Sequence, residues 1–148
     1  MRGHGGLSQL EMAELPRPAI ASNRHVLVRM HAAALNHLDL WTLEGLLGLN
    51  LKFPHILSGD GAGVVEEVGR DVRTVKVGDR VLLNPGLSCG KCEYCGAGEQ
   101  SLCVEYRLMG GHVSGTLAEY VTVPESNVAV VPAGIGWPEA AAFTLVTL

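Results

Sequence analysis

The chain has 148 residues, enough for one hydrophobic core and short for two. Its 47% hydrophobic and 18% charged residues are globular proportions, and 11 Lys plus Arg against 15 Asp plus Glu leave a mild acidity that offers nothing to nucleic acid. No apolar run reaches the roughly 18 residues of a membrane helix, and the first ten residues lack the regions of a signal peptide, so the expected setting is cytoplasmic with no membrane partner.

Residues 9–15 and 25–33 read as two strands separated by Pro16 and Pro18. In the second, Val26, Val28 and Met30 alternate with Leu27, Arg29 and His31, the period of a half-buried strand. Asn36 can cap a short helix that runs through Asp39 and Trp41 to Gly45, which stands where a left-handed C-terminal residue is wanted. The β-branched runs 61–68, 79–83, 116–123 and 128–131 are bounded by Gly, Pro or Asn and predict further strands. Pro138 at a first helical position, then Glu139 and the run 140–148, predicts a helix that the chain end cuts off, with the fold continuing beyond Leu148. Short β-rich runs punctuated by many glycines point to a mostly β, bent, barrel-like sheet.

Four cysteines fall in one window, at Cys89, Cys92, Cys95 and Cys103, with Gly90, Gly96 and Gly98 between them allowing tight turns. In a reducing compartment such clustering favours metal over disulfides. Zinc takes four thiolates at about 2.3 Å, and cysteines separated by two residues can share one ion. The competitors are a disulfide pair with free thiols and an iron–sulfur cluster, whose bacterial ferredoxin spacing closes with a three-residue gap and a proline. Here the last gap is seven residues and Val104 follows Cys103. A closed four-cysteine shell leaves no open position, so the expected single zinc is structural.

The run 78–81 (GDRV), the segment CGKCEYC at 89–95 with Cys103, the stretch 59–69 (GDGAGVVEEVG) and the run 115–121 (GTLAEYV) together resemble the medium-chain alcohol dehydrogenase and quinone oxidoreductase superfamily. The resemblance implies a GroES-like, partly open β-barrel with short helices, the substrate domain over 1–132, with a zinc lobe at about 84–108. Residues 133–148 would then begin the connection to a Rossmann cofactor domain that these residues do not include. The implied activity is NAD(P)-dependent hydride transfer to or from a small carbonyl or alcohol, in a protein that is a homo-oligomer at full length. Gly59, Gly61 and Gly63 recur every second residue into a strand, so they are expected to mark close backbone approach rather than the dinucleotide fingerprint.

In zinc-dependent members of that superfamily a catalytic zinc has three protein ligands, and by the resemblance their places fall on Asn36, Asp60 and Gly61, with the usual hydroxyl relay on Leu38. The expectation is therefore a structural zinc without a catalytic one. The stretch 34–41 (ALNHLDLW) is instead similar to the zinc-independent quinone and enoyl reductase branches, in which Asn36 would hydrogen-bond the substrate oxygen. Asn36, Asp39 and Asp60 are the candidate catalytic residues, and His37 the candidate cofactor contact. A simple helix cap for Asn36, a polar pair for Asp39 with Asp60, and a non-standard metal site on His37, Asp39 and Asp60 stand beside them. His4, His25, His31, His55 and His112 have no partner pattern. The 148 residues alone are expected to be inactive, and a non-enzymatic zinc-stabilised β-barrel used for interaction is the alternative function.

Overall fold

Five of the β-branched runs pair into one sheet in the computed structural model, which describes residues 1–147. Strands β1 (His25–Ala34), β2 (Asp60–Val68) and β3 (Arg80–Leu83) are followed by the short pair β4 (Gly86–Leu87) and β5 (Arg107–Leu108), then by β6 (Tyr120–Pro124) and β7 (Val128–Val130). Sheet order is β6-β1-β2-β3-β7 with antiparallel neighbours throughout, and its two edge strands do not pair with each other, so the barrel is open. Helix α1 (His37–Glu44) joins β1 to β2, α2 (Glu93–Gly96) lies between β4 and β5, and α3 (Trp137–Ala141) covers one face.

Inward residues of successive strands build the core: Val26 and Val28 from β1, Val65 from β2, Val81 and Leu83 from β3, and Val121 and Val123 from β6, with Met109 and Val72 from the loops. Each such side chain contributes about 1.5–3 kcal/mol on burial. The alternation in β1 holds for exposed Arg29 and His31, but Leu27 is also buried, beside a bulge where the register to β2 shifts between Leu27 and Val28. Close approach of β1 to β2 is what the glycines allow. A Cβ on Gly63 would lie 2.2 Å from the Arg29 carbonyl oxygen, and one on Gly61 would lie 2.4 Å from Met30 Cε. The alternate glycines therefore serve strand packing, as their spacing implied.

Three sequence expectations change. Residues 9–15 form no strand: a single 3₁₀ turn at Leu7–Gln9 gives way to exposed chain with Met12 wholly in solvent, because no neighbouring strand takes up its ladder. Residues 116–119 are not strand either, since the amides of Gly115, Thr116 and Leu117 are spent on the carbonyls of Ile56, Ser58 and Leu57 rather than on the sheet. The terminal helix begins one residue earlier than expected, at Trp137, and stops at Ala141. Continued helix would give the Leu145 N–H to the Ala141 carbonyl, whereas Asp60 Oδ1 accepts it at 2.8 Å. Leu148, the expected end of that helix, lies outside the described residues. Ala140 and Ala141 pack α3 against Ala62 and Val131, small residues that let the helix sit close on the sheet.

Glu125, in the turn between β6 and β7, is 5% exposed and accepts from the amides of Arg73 (2.8 Å) and Thr74 (3.2 Å), the Thr74 hydroxyl (3.1 Å) and the Arg24 guanidinium (2.9 Å). Its carboxyl is drawn down from 4.5 to about 2, first by the Arg73 amide and then by Arg24 and Thr74, against the opposing effect of burial. A depressed folded-state value means that this stabilisation is complete above pH 4.5 and is lost as pH falls through about 2. Glu125→Gln should lower stability by about 1–3 kcal/mol at pH 7 and flatten the stability loss between those two pH values, measured by urea unfolding across pH. Gly63→Ala should lower Tm by several degrees through about 1–3 kcal/mol of steric overlap with the Arg29 backbone, read by calorimetry.

Candidate functional site

Two polar centres stand out, one in the loop between β4 and β5 and one where α1 meets β2. The first is built on a narrow base: β4 pairs with β5 at Gly86 with Leu108 and Leu87 with Arg107, and the Met109 amide bonds the Pro85 carbonyl at 3.0 Å. Between these strands, over 88–106, Cys103 is the one fully buried residue, so the lobe has no apolar core of its own. Gly90 has φ +70°, a conformation open to glycine, and this turn brings Cys92 back toward Cys89.

The ligand atoms of Cys89, Cys92, Cys95 and Cys103 all lie within 4.8 Å of one another, and the Cys89 and Cys95 sulfurs are 4.0 Å apart. Four sulfurs held tetrahedrally by one zinc at about 2.3 Å would stand about 3.8 Å apart, so the lobe fits such an ion with little adjustment. Amides already point at the sulfurs: Cys89 and Glu105 donate to Cys103 Sγ (3.3 and 3.4 Å), and Cys92 donates to Cys89 Sγ (3.4 Å). The Cys92 thiol is drawn down to about 6, chiefly by the Cys95 backbone amide, which favours the thiolate that a metal needs. Among the described residues this is the one cluster of its kind.

The second centre gathers Asn36, Asp39 and Asp60. Asn36 is the residue before α1, and Asp39 in the first turn returns its Oδ2 to the Asn36 amide at 2.8 Å, while Gly45 closes the helix with φ +100°. Asp39 Oδ1 accepts the Ser58 amide at 2.6 Å. Asp60, fully buried at the start of β2, accepts the Asn36 side-chain Nδ2 on Oδ2 (2.9 Å), and on Oδ1 the Thr144 hydroxyl (2.5 Å) and the Leu145 amide. The two carboxyl groups are thus not a directly bonded pair; Asn36 bridges them, its backbone on one and its side chain on the other. All four carboxyl oxygens already have donors. His37 stands apart from them, exposed at the first turn of α1 with its ring 4.8 Å from that of Trp41.

Sequence reasoning missed Ser58, Thr116 and Thr144. Ser58 is buried with φ +71°, its hydroxyl donates to the Ala34 carbonyl at 2.8 Å, and it accepts the Thr116 hydroxyl at 2.8 Å. A Cβ on Gly115 would sit 1.9 Å from the Ser58 carbonyl oxygen, so glycine at that position makes room for the turn. These partners lie 58 to 84 residues apart, and no local signal announces them. The histidines without a pattern are hydrogen-bonded or stacked: His55 on the Gly110 carbonyl (3.0 Å), His112 on the Leu108 amide (3.0 Å), His4 on the Thr42 carbonyl (3.0 Å), His25 on the Ser22 hydroxyl and His31 on Trp137.

Residues 22–133 match the alcohol dehydrogenase GroES-like domain. An alcohol dehydrogenase of Geobacillus stearothermophilus is 40% identical over 126 residues, which are 83% of this chain and 36% of that protein. An alcohol dehydrogenase of Schizosaccharomyces pombe is 35% identical over 133 residues, 89% of this chain and 38% of its own. Among solved structures, an NAD-dependent alcohol dehydrogenase superposes with a TM-score of 0.94 at 50% identity, covering 98% of this chain and 42% of that one. The cobalt and zinc bound thermostable alcohol dehydrogenase from Pyrobaculum aerophilum gives 0.84 at 32%, covering 97% and 44%. The chain spans about two fifths of the length of these relatives. No described helix is long and apolar enough to cross a membrane. The matched span takes in the open sheet, the glycine-rich β2 and the cysteine lobe, and the chain belongs to the alcohol dehydrogenase GroES-like domain family.

Proposed function

We propose that residues 1–132 are the substrate-side domain of an NAD(P)-dependent oxidoreductase that holds one structural zinc at about 84–108 and reduces a conjugated carbonyl without a catalytic metal. Residues 133–148 then begin the connection to a Rossmann domain, and the longer protein is a cytoplasmic homo-oligomer. The observation that carries this is the hydrogen-bonded closure around Asn36: it stands with Asp60 and Gly61 where the superfamily resemblance puts catalytic zinc ligands, yet Asn36 Nδ2 donates to Asp60, whose other oxygen is held by Thr144 and Leu145. Three neutral donors thus hold the Asp60 carboxyl, and a metal there would have to share its oxygens with them. A closed set of neutral donors and a glycine supply neither the thiolate nor the imidazole that a catalytic zinc favours.

When bound in the longer protein, the nicotinamide cofactor supplies hydride. Asn36 is the group that meets the substrate. One of its side-chain N–H groups is aimed by Asp60, and the other has only a 3.5 Å contact with the Ala34 carbonyl, so it is available to a substrate oxygen on which charge develops. Asp39 fixes the Asn36 backbone and the Ser58 turn together. To His37, exposed on the first turn of α1, we assign the contact with a phosphate of the cofactor. The alternative of a non-enzymatic interaction module is not favoured, since the relatives reported above are named dehydrogenases.

Chain purified without chelator should carry close to one zinc by atomic absorption, and two per chain would contradict the metal-free reading of Asn36 and Asp60. Cys95→Ser should lose the metal and open 88–106 to protease while the sheet stays folded, because a small zinc site supplies on the order of 10 kcal/mol and the lobe has no core to replace it. The 148 residues alone should bind neither NADH nor NADPH by calorimetry. Extended through the following domain, the protein should oxidise NAD(P)H with an enone or quinone, and Asn36→Ala should reduce kcat by about 10²–10³, the loss typical of a preorganised donor. Oxidation of simple alcohols that is abolished by chelation would overturn the proposal.

A further inference from the structure

Asp60 does something that substrate contact does not require. Its Oδ1 reaches across 84 and 85 residues of chain to the Thr144 hydroxyl and the Leu145 amide, while its Oδ2 holds Asn36. The Thr144 hydroxyl is shared with the Leu83 carbonyl at 2.8 Å, so the contact also fastens this segment to the end of β3. Ahead of it, α3 lies on the sheet through Ala140 and Ala141 and through Trp137, which stacks on His31 of β1 with the Arg80 guanidinium over its ring. Van der Waals packing of small residues tolerates sliding; a buried carboxyl with directed donors does not. Beyond the end of α3, where a 3₁₀ turn begins, the Leu145 amide is given to Asp60, and this bond fixes the segment against the start of β2.

We propose that Asp60 is a positioning latch, one carboxyl that fixes both the aim of Asn36 and the departure of the chain at Thr144–Leu145 toward the following domain. The second half of this proposal depends on the function proposed above, because a cofactor domain must follow for the departure angle to matter to catalysis. The coupling is mechanical. When the segment shifts, both donors leave Oδ1, the carboxyl is free to rotate, and the second Asn36 N–H loses its fixed direction. In the assembled protein, domain placement and the oxygen-binding donor are thereby set by the same group.

The test uses the chain extended through the following domain, with hydrogen exchange as its primary readout. Asp60→Ala should raise exchange at the Leu145 amide by about ten- to hundredfold, the size of a lost bond to a carboxylate, while the β1–β2 amides stay protected. Should that variant fail to fold, Thr144→Val decides: it keeps Asp60 and Asn36, removes one donor from Oδ1, and should still raise Leu145 exchange by about threefold or more. Unchanged exchange at Leu145 in Thr144→Val, with the sheet intact, overturns the latch. Kinetically, Thr144→Val should lower kcat several-fold and leave KM for the carbonyl substrate within about twofold, since it disturbs positioning and not substrate contact. A rise in KM with kcat unchanged would contradict the coupling. If the wild-type extended protein fails to oxidise NAD(P)H, the proposed function falls, and the exchange result still decides whether Asp60 holds this segment.

Discussion

A fully buried carboxyl group at the first residue of β2 organises the corner where α1 meets the sheet. Leaving Asp60 unpaired in that position would cost several kcal/mol, and the chain supplies donors from two remote places, the entrance of α1 and the segment after α3. Neighbouring features follow from that demand. Ser58 takes a left-handed backbone to turn the chain into β2, Thr116 bonds both the Ser58 hydroxyl and the Asp60 carbonyl, and Gly110 and Gly115 leave room for the Ser58 backbone. A side chain in place of either glycine would collide with that turn.

The cysteine lobe obeys the opposite physics. Where the sheet is held by interdigitated Val and Leu side chains, the 88–106 loop buries Cys103 alone and presents four sulfurs with amides aimed at them. Its order must come from coordination, because apolar area is not there to provide it. Joined to the sheet through a two-strand base, the lobe can lose its metal without removing any residue of the core cluster from its place except through Met109, which follows β5 directly. The domain therefore divides into a part folded by hydrophobic burial and a part whose four cysteines are arranged to hold a metal.

The α1–β2 corner is closed by hydrogen bonds among its own residues. An imidazole and a thiolate would present lone pairs to a cation, whereas Asn36 and Asp60 satisfy each other, one donating and one accepting. The second Asn36 side-chain N–H has a 3.5 Å contact with the Ala34 carbonyl. The other Asp60 oxygen ties that corner to Thr144 and Leu145, more than eighty residues along the chain.

What could be read from the amino acids alone was local. Cysteine spacing bounded the metal lobe because zinc ligands two residues apart meet through a single turn, and the β-branched runs located β1, β2, β3 and β7 because strand burial writes itself into neighbouring residues. Asn36 and Gly45 marked both ends of α1 for the same reason: capping is a short-range bond. Everything that depended on distant partners was decided by the tertiary structure. Residues 10–15 remained outside any strand for want of a neighbour, Glu125 gained its buried partners from Arg24, Arg73 and Thr74, and the segment after α3 gave its Leu145 amide to a carboxyl from β2. Hydrogen-bond partners separated by fifty or eighty residues leave no periodicity in the sequence, and only the closing of the sheet brings them within three ångströms of one another.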